Sequence, residues 1–313
     1  MRTFRDISVA TRLSLVIILV ALVSLAITSI VGLQRGSQIA DEVLQARVTS
    51  LGAARADEVE RYVGSLQRAA VGQAISPSTA RAISEFADAY KDLNSNTPTT
   101  NDQTAVSAFY ADVVAPGLAE VRGRPVVATG LVPSANAAVT LQAAFVVPSG
   151  EGNLLAGTGD SSGWFGLHRE FHESFEEFTI QMGVDDFYLI EPDANTIVYS
   201  TAKGIDFGTS LLTGPQSGSA LAVLIQSLNS SPEPGVAAVR DFTSYAAAGD
   251  EPSMFVAAPV YANGPLAGFV AVRIGPQRIS SITTNDGTWS AEGNSGETYV
   301  VGADNLMRSD SRL

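Results

Sequence analysis

One uncharged apolar run near the N-terminus constrains this chain more than any other feature. The run LSLVIILVALVSLAITSIVGL, Leu13–Leu33, has 21 residues and no charged side chain. That length is sufficient to span a bilayer as an α-helix. A cleaved signal peptide is the alternative, but its apolar region is usually shorter, and no small-x-small cleavage site follows Leu33. The sequence therefore predicts a retained transmembrane helix over residues 13–33.

The charges that flank this run predict its orientation. Arg2, Arg5 and Arg12 precede it, and only Asp6 opposes them. Positively charged flanks of a membrane helix stay in the cytoplasm. We therefore expect a cytoplasmic N-terminus over residues 1–12, one crossing of the cell inner membrane, and an extracytoplasmic location for the bulk of the chain.

Composition excludes several function classes for the extracytoplasmic part. The 313-residue chain has a formal net charge of −13, and phosphate binding needs a clustered basic face, so no nucleic-acid partner is expected. The sequence has no cysteine, which excludes disulfides, zinc sites built on thiolates and thiol catalysis. No cofactor is expected.

Residues 34–93 have the pattern of long helices that continue outward from the membrane. Apolar residues recur at helical spacing between charged ones, and Ser76, Pro77 and Ser78 form a helix start signal. A long amphipathic stalk of this kind also predicts pairing of two chains into a homodimer through helix–helix contacts. The stretch 94–103, NSNTPTTNDQ, is predicted to be a loop, and two short helical patterns and a Gly/Ser-rich loop, PSGEGNLLAGTGDSSG, follow it.

The stretch from residue 161 to 274 predicts an α+β module. An amphipathic helix ends at Gly183, and a second helix lies between the second and third strands. Asn263-Gly264 between the last two strands is a strong hairpin signal. The expected fold is a five-stranded antiparallel sheet with helices packed on it. The predicted strands are 186–190, 196–201, 239–245, 253–262 and 265–274.

A partial repeat follows the module. The segment ETYVVGADNLMRSDS, 297–311, has the layout of DDFYLIEPDANTIVYST, 185–201, and Tyr299 lies 111 residues after Tyr188. One small domain has about this length, so residues 286–313 are predicted to begin a second copy of the module and to contain only its first hairpin. Two strands alone are marginally stable in water, and poor packing is expected there.

These segments resemble the double-Cache extracytoplasmic sensors of bacterial receptors, as found on transmembrane adenylate/guanylate cyclases and methyl-accepting chemotaxis proteins. The resemblance covers about residues 160–313. It implies a membrane-distal, PAS-like Cache sensor module over 94–285 and the start of a membrane-proximal one over 286–313. It also implies a second membrane helix and a cytoplasmic output domain beyond them. The matching residues are Leu167-His168, Phe171-His172, FYLIEPDANTIVYS, DFGTSLLTGP, DFTSY, VAAPVY and GETYVVGADNLMRSDSRL.

Strand alternation predicts a ligand pocket on this module. Residues two apart in a strand share a face, and an Asp, an Arg and several Tyr around small residues could hold a zwitterion. In that arrangement Asp241 would bind an ammonium group and Arg273 a carboxylate. Alternatively, Asp241 and Arg273 form a surface ion pair that contributes little. The ligand is expected to be a small polar metabolite, with an amino acid or a carboxylate as first guess. The predicted binding residues are Tyr188, Tyr199, Asp241, Tyr245, Phe255 and Arg273, with Trp164, His168 and His172 on the helix beside the pocket.

The two histidines, four residues apart, could begin a zinc site, but Arg169 stands where the protease motif needs Glu. Structural histidines with a buried partner are the favoured interpretation, and neither a metal site nor a catalytic residue is predicted. Three functions remain open. An anchored receptor for a small molecule is the first, a ligand-free dimerisation scaffold is the second, and an anchored hydrolase, which lacks a recognisable nucleophile motif, is the third.

Overall fold

The computed structural model describes residues 8–147, 163–284, 286 and 297–311. These residues belong to two compact units, one with residues up to 57 and one with residues from 58 onward. The predicted Gly/Ser-rich loop falls almost entirely on residues 148–162, which lie outside the described residues, and so do residues 1–7.

Helix α1, Val9–Ala74, contains the apolar run. Among the described residues it is the one helix long and apolar enough to cross a membrane, and its most apolar window is fully exposed. In the first unit its apolar side chains remain exposed beyond the run as well, at Val43, Leu44 and Val48. Residues 34–93, predicted to be stalk helices, are helical in α1 and in the helix that follows it. That they form a stalk stays a prediction.

Seven further helices belong to the second unit as described. Ser76 caps α2 by accepting a hydrogen bond from the Thr79 amide at 3.4 Å. The predicted loop 94–103 is shorter in the structure, because Thr99 and Asp102 form a capping box that starts α3 within it. A π-helical turn, Tyr110–Val114, joins α3 to α4. The helices are α2 (Pro77–Asn94), α3 (Thr100–Phe109), α4 (Ala115–Arg122), α5 (Asn136–Phe145), α6 (Gly163–Met182), α7 (Ala220–Ser230) and α8 (Pro276–Thr284).

The five-stranded antiparallel sheet and the α+β class are confirmed. The strands lie in the order β2-β1-β5-β4-β3, so the hairpin strands β1 and β2 form one edge and β3 the other. Asn263 and Gly264 make the turn between β4 and β5 with φ of 52° and 110°, as a primed hairpin turn requires. The strands are β1 (Asp186–Ile190), β2 (Ile197–Ser200), β3 (Ala238–Ser244), β4 (Pro252–Tyr261) and β5 (Leu266–Ile274).

Alternation along the strands separates two faces of the sheet. Phe187 and Tyr199 point to the helices, because the Phe175 ring of α6 lies 4.9 Å from that of Phe187 and 5.3 Å from that of Tyr199. Tyr188 faces the other way, in register with Ala271 of β5. The site predicted from the sequence is thereby split between the two faces.

The described segment 297–311 has one isolated bridge, between Val301 and Met307, rather than two strands. The Arg308 side chain ties it to β3, and the Asp310 amide donates to Ser280 of α8 at 2.8 Å. A second module beginning here stays a prediction.

Candidate functional site

The second face of the sheet carries a buried polar cluster, which we call the sheet-face site: Tyr188, Asp206, Tyr245, Phe255 and Arg273. The Tyr245 hydroxyl donates to Asp206 Oδ2 at 2.5 Å, and the Tyr188 hydroxyl adjoins that of Tyr245. The Tyr245 ring packs edge-on against Phe255, with centroids 5.0 Å apart. Four of the six residues predicted to bind a ligand therefore meet on one face, around a carboxylate that sequence reasoning missed.

Asp206 is a buried carboxylate of the sheet-face site with an incomplete set of hydrogen bonds. It is 1% exposed, and its Oδ1 atom has no hydrogen-bond partner. Burial, and next the charge of Asp186, raise the pKa of Asp206 to about 6. Burial likewise raises the pKa of Tyr188 and of Tyr245 well above the usual tyrosine value, so both remain hydrogen-bond donors.

Arg273 supplies the positive charge of the sheet-face site. Its strand position is paired with Asp186 of β1 and with Phe255 of β4. The guanidinium is largely buried, and its Nη1 lies 3.7 Å from Asp185 Oδ2, beyond direct hydrogen-bond distance. A buried guanidinium without a bidentate carboxylate keeps donors for a ligand.

An irregular segment, residues 201–219, brings Asp206 to the sheet. Its middle runs along the edge strand β2, where the Gly208 amide donates to Ile197 O at 3.0 Å. Gly208, with φ 77°, approaches α5 so closely that a Cβ would lie 2.9 Å from Ala138 Cα. The DFG turn after the second strand is the one signal in the sequence that could have indicated Asp206, because periodicity is absent there.

Asp241 does not lie in the sheet-face site, and the alternation expected for its strand is wrong. A bulge between Arg240 and Thr243 shifts the register of β3, which leaves Phe242 as the buried residue. The Asp241 side chain is 61% exposed and its Oδ2 accepts from Arg308 Nη2 at 2.9 Å. The surface pair that the sequence left open for Asp241 exists, with Arg308 rather than Arg273 as its partner.

The remaining predicted residues lie in a second group together with Lys203, which the sequence did not indicate. We call this group the helix–edge cluster: Trp164, His168, His172, Tyr199 and Lys203. The two imidazole rings stack with centroids 4.4 Å apart, and His172 Nδ1 lies 2.7 Å from the Tyr199 hydroxyl. Trp164 Nε1 donates to Val198 O at 2.9 Å. Among the described residues, no three His, Asp or Glu side chains are placed to hold a metal ion.

A surface cavity of about 300 Å³ lies elsewhere, and none of the predicted site residues lines it. Its walls are the C-terminal end of α2, the N-terminal end of α5, the β1–β2 turn and residues 209–215. Thr209 in its wall donates through Oγ1 to Asp206 O at 2.7 Å, so the cavity adjoins the segment that carries Asp206.

No protein-family model matches the sequence, and no curated protein matches it. The solved structures similar to the chain include two of the ligand-binding domain of the Campylobacter jejuni chemoreceptor Tlp3, one in complex with 4-methylisoleucine and one with L-norvaline. Each has 8% sequence identity and a TM-score of 0.32. The first match covers 67% of this chain and 71% of that chain, and the second covers 75% and 73%. At this level of likeness, function rests on the residues of the site itself.

Proposed function

We propose that this chain is the extracytoplasmic sensor region of a membrane-anchored bacterial receptor and that its sheet-face site binds a small zwitterionic metabolite such as an amino acid. The observation that carries the proposal is Asp206, a fully buried carboxylate with one oxygen that no donor reaches. A buried polar atom without a partner destabilises a protein, so its presence points to a role such as ligand binding. An ammonium group of a ligand would supply the missing donor.

The surroundings of Asp206 suit the rest of such a ligand. The Tyr245 hydroxyl donates to the carboxylate, and the Tyr188 hydroxyl adjoins that of Tyr245. The buried Arg273 offers the planar pair of donors that binds a carboxylate. Ala257 and Ala271 are paired across β4 and β5 on the same face, where their small side chains leave room above the sheet. Few polar groups on an apolar wall are typical of small-molecule sites.

A chain of contacts offers a route from this site to the stalk. Asp185 lies beside Arg273 and two residues after Gly183. The Gly183 carbonyl accepts a hydrogen bond from the Tyr62 hydroxyl of α1 at 3.1 Å. Ligand contact with Arg273 would thereby bias the end of α1. We propose that the membrane segment 13–33 passes this bias to the second membrane helix that the resemblance implies, and that this second helix leads to the cytoplasmic output domain.

A melting screen of the full chain in detergent, against a panel of amino acids and carboxylates, tests the proposal. At least one compound should raise the melting temperature of the natural sequence. Asp206→Asn should lower the affinity for that compound about thirty- to hundred-fold, since a buried charge-assisted contact contributes about 2–3 kcal/mol. Asp241→Asn is the matched control and should bind as the parent does, because its carboxylate is exposed.

Two outcomes would contradict the sensor proposal. If no compound in the panel stabilises the natural sequence, the ligand-free scaffold becomes the better interpretation. If Asp206→Asn binds as well as the parent, the ligand does not contact Asp206.

A further inference from the structure

The helix–edge cluster contains a buried cation that the proposed sensor function does not use. Lys203 is 3% exposed, and its Nζ donates to the Ser200 carbonyl. The same atom lies 4.3 Å from the centroid of the Tyr199 ring, 5.5 Å from that of Phe207 and 5.8 Å from that of Phe145. None of the ion pairs among the described residues includes Lys203. Buried charges are ordinarily paired with an opposite charge, so a buried ammonium without an ion pair is unusual.

Carboxylates of the protein do not fill that role. Asp186 is buried nearby, but its Oδ1 already accepts from five groups: the amides of Phe187, Thr201 and Ala202 and the hydroxyls of Ser200 and Thr201. Its Oδ2 accepts from the Ser200 hydroxyl at 2.8 Å. Glu176, the other carboxylate whose charge acts on Lys203, is exposed.

Two buried imidazoles add unpartnered nitrogen atoms to the same cluster. His168 and His172 are each 1% exposed, and the Nε2 atom of each has no hydrogen-bond partner. Burial raises the pKa of Tyr199 well above its usual value, so its hydroxyl stays protonated beside His172 Nδ1, 2.7 Å away. We assign the Tyr199 hydroxyl as the donor in this contact, which places the proton of the neutral His172 ring on Nε2 and makes that nitrogen a buried donor without an acceptor.

We infer that Lys203, His168 and His172 form a second ligand site, distinct from the sheet-face site, which takes a small monocarboxylate. The single cationic side chain, Lys203, favours a ligand with one negative charge. The adjacent N–H donor of His172 can bind the second oxygen of a carboxylate. The Trp164, Phe145 and Phe207 rings, which contact His168 or Lys203, favour a short apolar tail over a fully hydrated inorganic anion.

Titration of the cluster gives this site a pH dependence that the natural sequence can reveal. Burial lowers the pKa of Lys203 to about 7, against the opposing charges of Asp186 and Glu176. Burial, followed by the charge of Lys203, lowers the pKa of His168 to about 2 and that of His172 to about 4. The charge of Arg169 also lowers the pKa of His168, and both rings stay neutral above pH 5. Because the carboxylate needs protonated Lys203, affinity should fall about tenfold per pH unit above pH 7.

Calorimetric titration of the full chain in detergent with propionate and with propionamide tests the inference. Propionate should bind, and the uncharged amide of the same shape should bind at least tenfold more weakly. Lys203→Met keeps an apolar side chain among the rings, and its affinity for propionate should be at least tenfold lower than that of the parent. Lys91→Met removes an exposed lysine and should bind as the parent does.

Separate outcomes distinguish this site from the sheet-face site. Asp206→Asn should retain propionate binding, whatever its effect on the zwitterionic ligand. Equal binding of propionate and propionamide, unchanged binding by Lys203→Met, or no loss of affinity between pH 7 and pH 9 in the natural sequence would each overturn the inference. Binding of chloride or phosphate in place of propionate would overturn the ligand class.

Discussion

At the scale of single residues, Asp206 and Asp241 show how one residue type acquires opposite properties from its surroundings. Burial and the charge of Asp186 raise the pKa of Asp206, whereas the hydrogen bond from Arg308 lowers the pKa of Asp241. A folded-state pKa above the unfolded value means that the folded protein holds the proton more tightly. The stability that Asp206 contributes is therefore complete below pH 3.8 and is lost as the pH rises through 6.

The first prediction is that Asp206→Asn removes the loss of stability that the parent shows as the pH rises through 6. Relative to the parent, the variant should gain up to about 3 kcal/mol of unfolding free energy between pH 4 and pH 7, since one pKa unit corresponds to about 1.4 kcal/mol. Urea unfolding followed by Trp fluorescence, at several pH values in that range, measures the difference. Asp241→Asn should show a small effect of the opposite sign, because the contribution of Asp241 is present above the unfolded pKa and is lost as the pH falls. A difference between Asp206→Asn and the parent that does not vary with pH would contradict the raised pKa.

At the scale of elements, a glycine allows the central strand pair β1–β5 to form. Gly268 of β5 has φ 151°, and a Cβ there would overlap the Ile190 carbonyl oxygen and lie 3.0 Å from Ile83 Cγ2 of α2. The backbone of β1 and the Ile83 side chain of α2 therefore both approach Gly268 closely. Glycine in a strand commonly marks such a close approach.

The second prediction is that Gly268→Ala destabilises the sheet by about 1–3 kcal/mol, because both the backbone angle and the overlap with Ile190 resist a methyl group. Gly218→Ala is the control, since nothing lies within 4 Å of its added Cβ and its φ is not positive. The melting temperatures of the two variants give the comparison. Equal melting temperatures would show that β1 and β5 can shift apart without cost.

At the scale of the whole molecule, the apolar run in helix α1 predicts where the chain lies relative to a membrane. Helix α1 contains the uncharged run, and the arginines before that run predict a cytoplasmic N-terminus. Because the chain has no cysteine, a single introduced thiol reports its own location without background.

The third prediction concerns this topology. In intact cells, a membrane-impermeant maleimide should label Ser37→Cys, which follows the membrane run, and should fail to label Ser8→Cys until the cells are opened. The reverse pattern would reject the receptor orientation.

Exposed apolar residues on α1 support pairing of two chains along the stalk. Val43, Leu44 and Val48 are each about 60% exposed within the first unit. Repeated apolar residues on a long helix are commonly covered by a second helix. We therefore expect Val48→Cys to form a disulfide-linked dimer under mild oxidation in membranes, while Ser37→Cys, outside that set, should crosslink less. Equal crosslinking at both positions would argue against a specific helix pair.

The sequence by itself determined a helix long and apolar enough to cross a membrane, most of the element types and the class of fold. Those features follow from local chemistry: an uncharged run, helical spacing, the Ser76 cap, and the Asn263-Gly264 turn that joins two strands. It also indicated Tyr188, Tyr245, Phe255 and Arg273 as neighbours, because strand alternation is a local rule that holds wherever the register is regular.

Only the tertiary structure decided which charges enter the two buried clusters. A bulge in β3 turned Asp241 to the surface, and a bulge depends on the partner strand rather than on the residue itself. Asp206 and Lys203 come from an irregular segment without periodicity, which is held against β2 and α5 by long-range contacts such as that of Gly208 with Ala138. Burial then set the charge state of both residues, because desolvation depends on every atom packed around a group and on no feature of its own stretch of sequence.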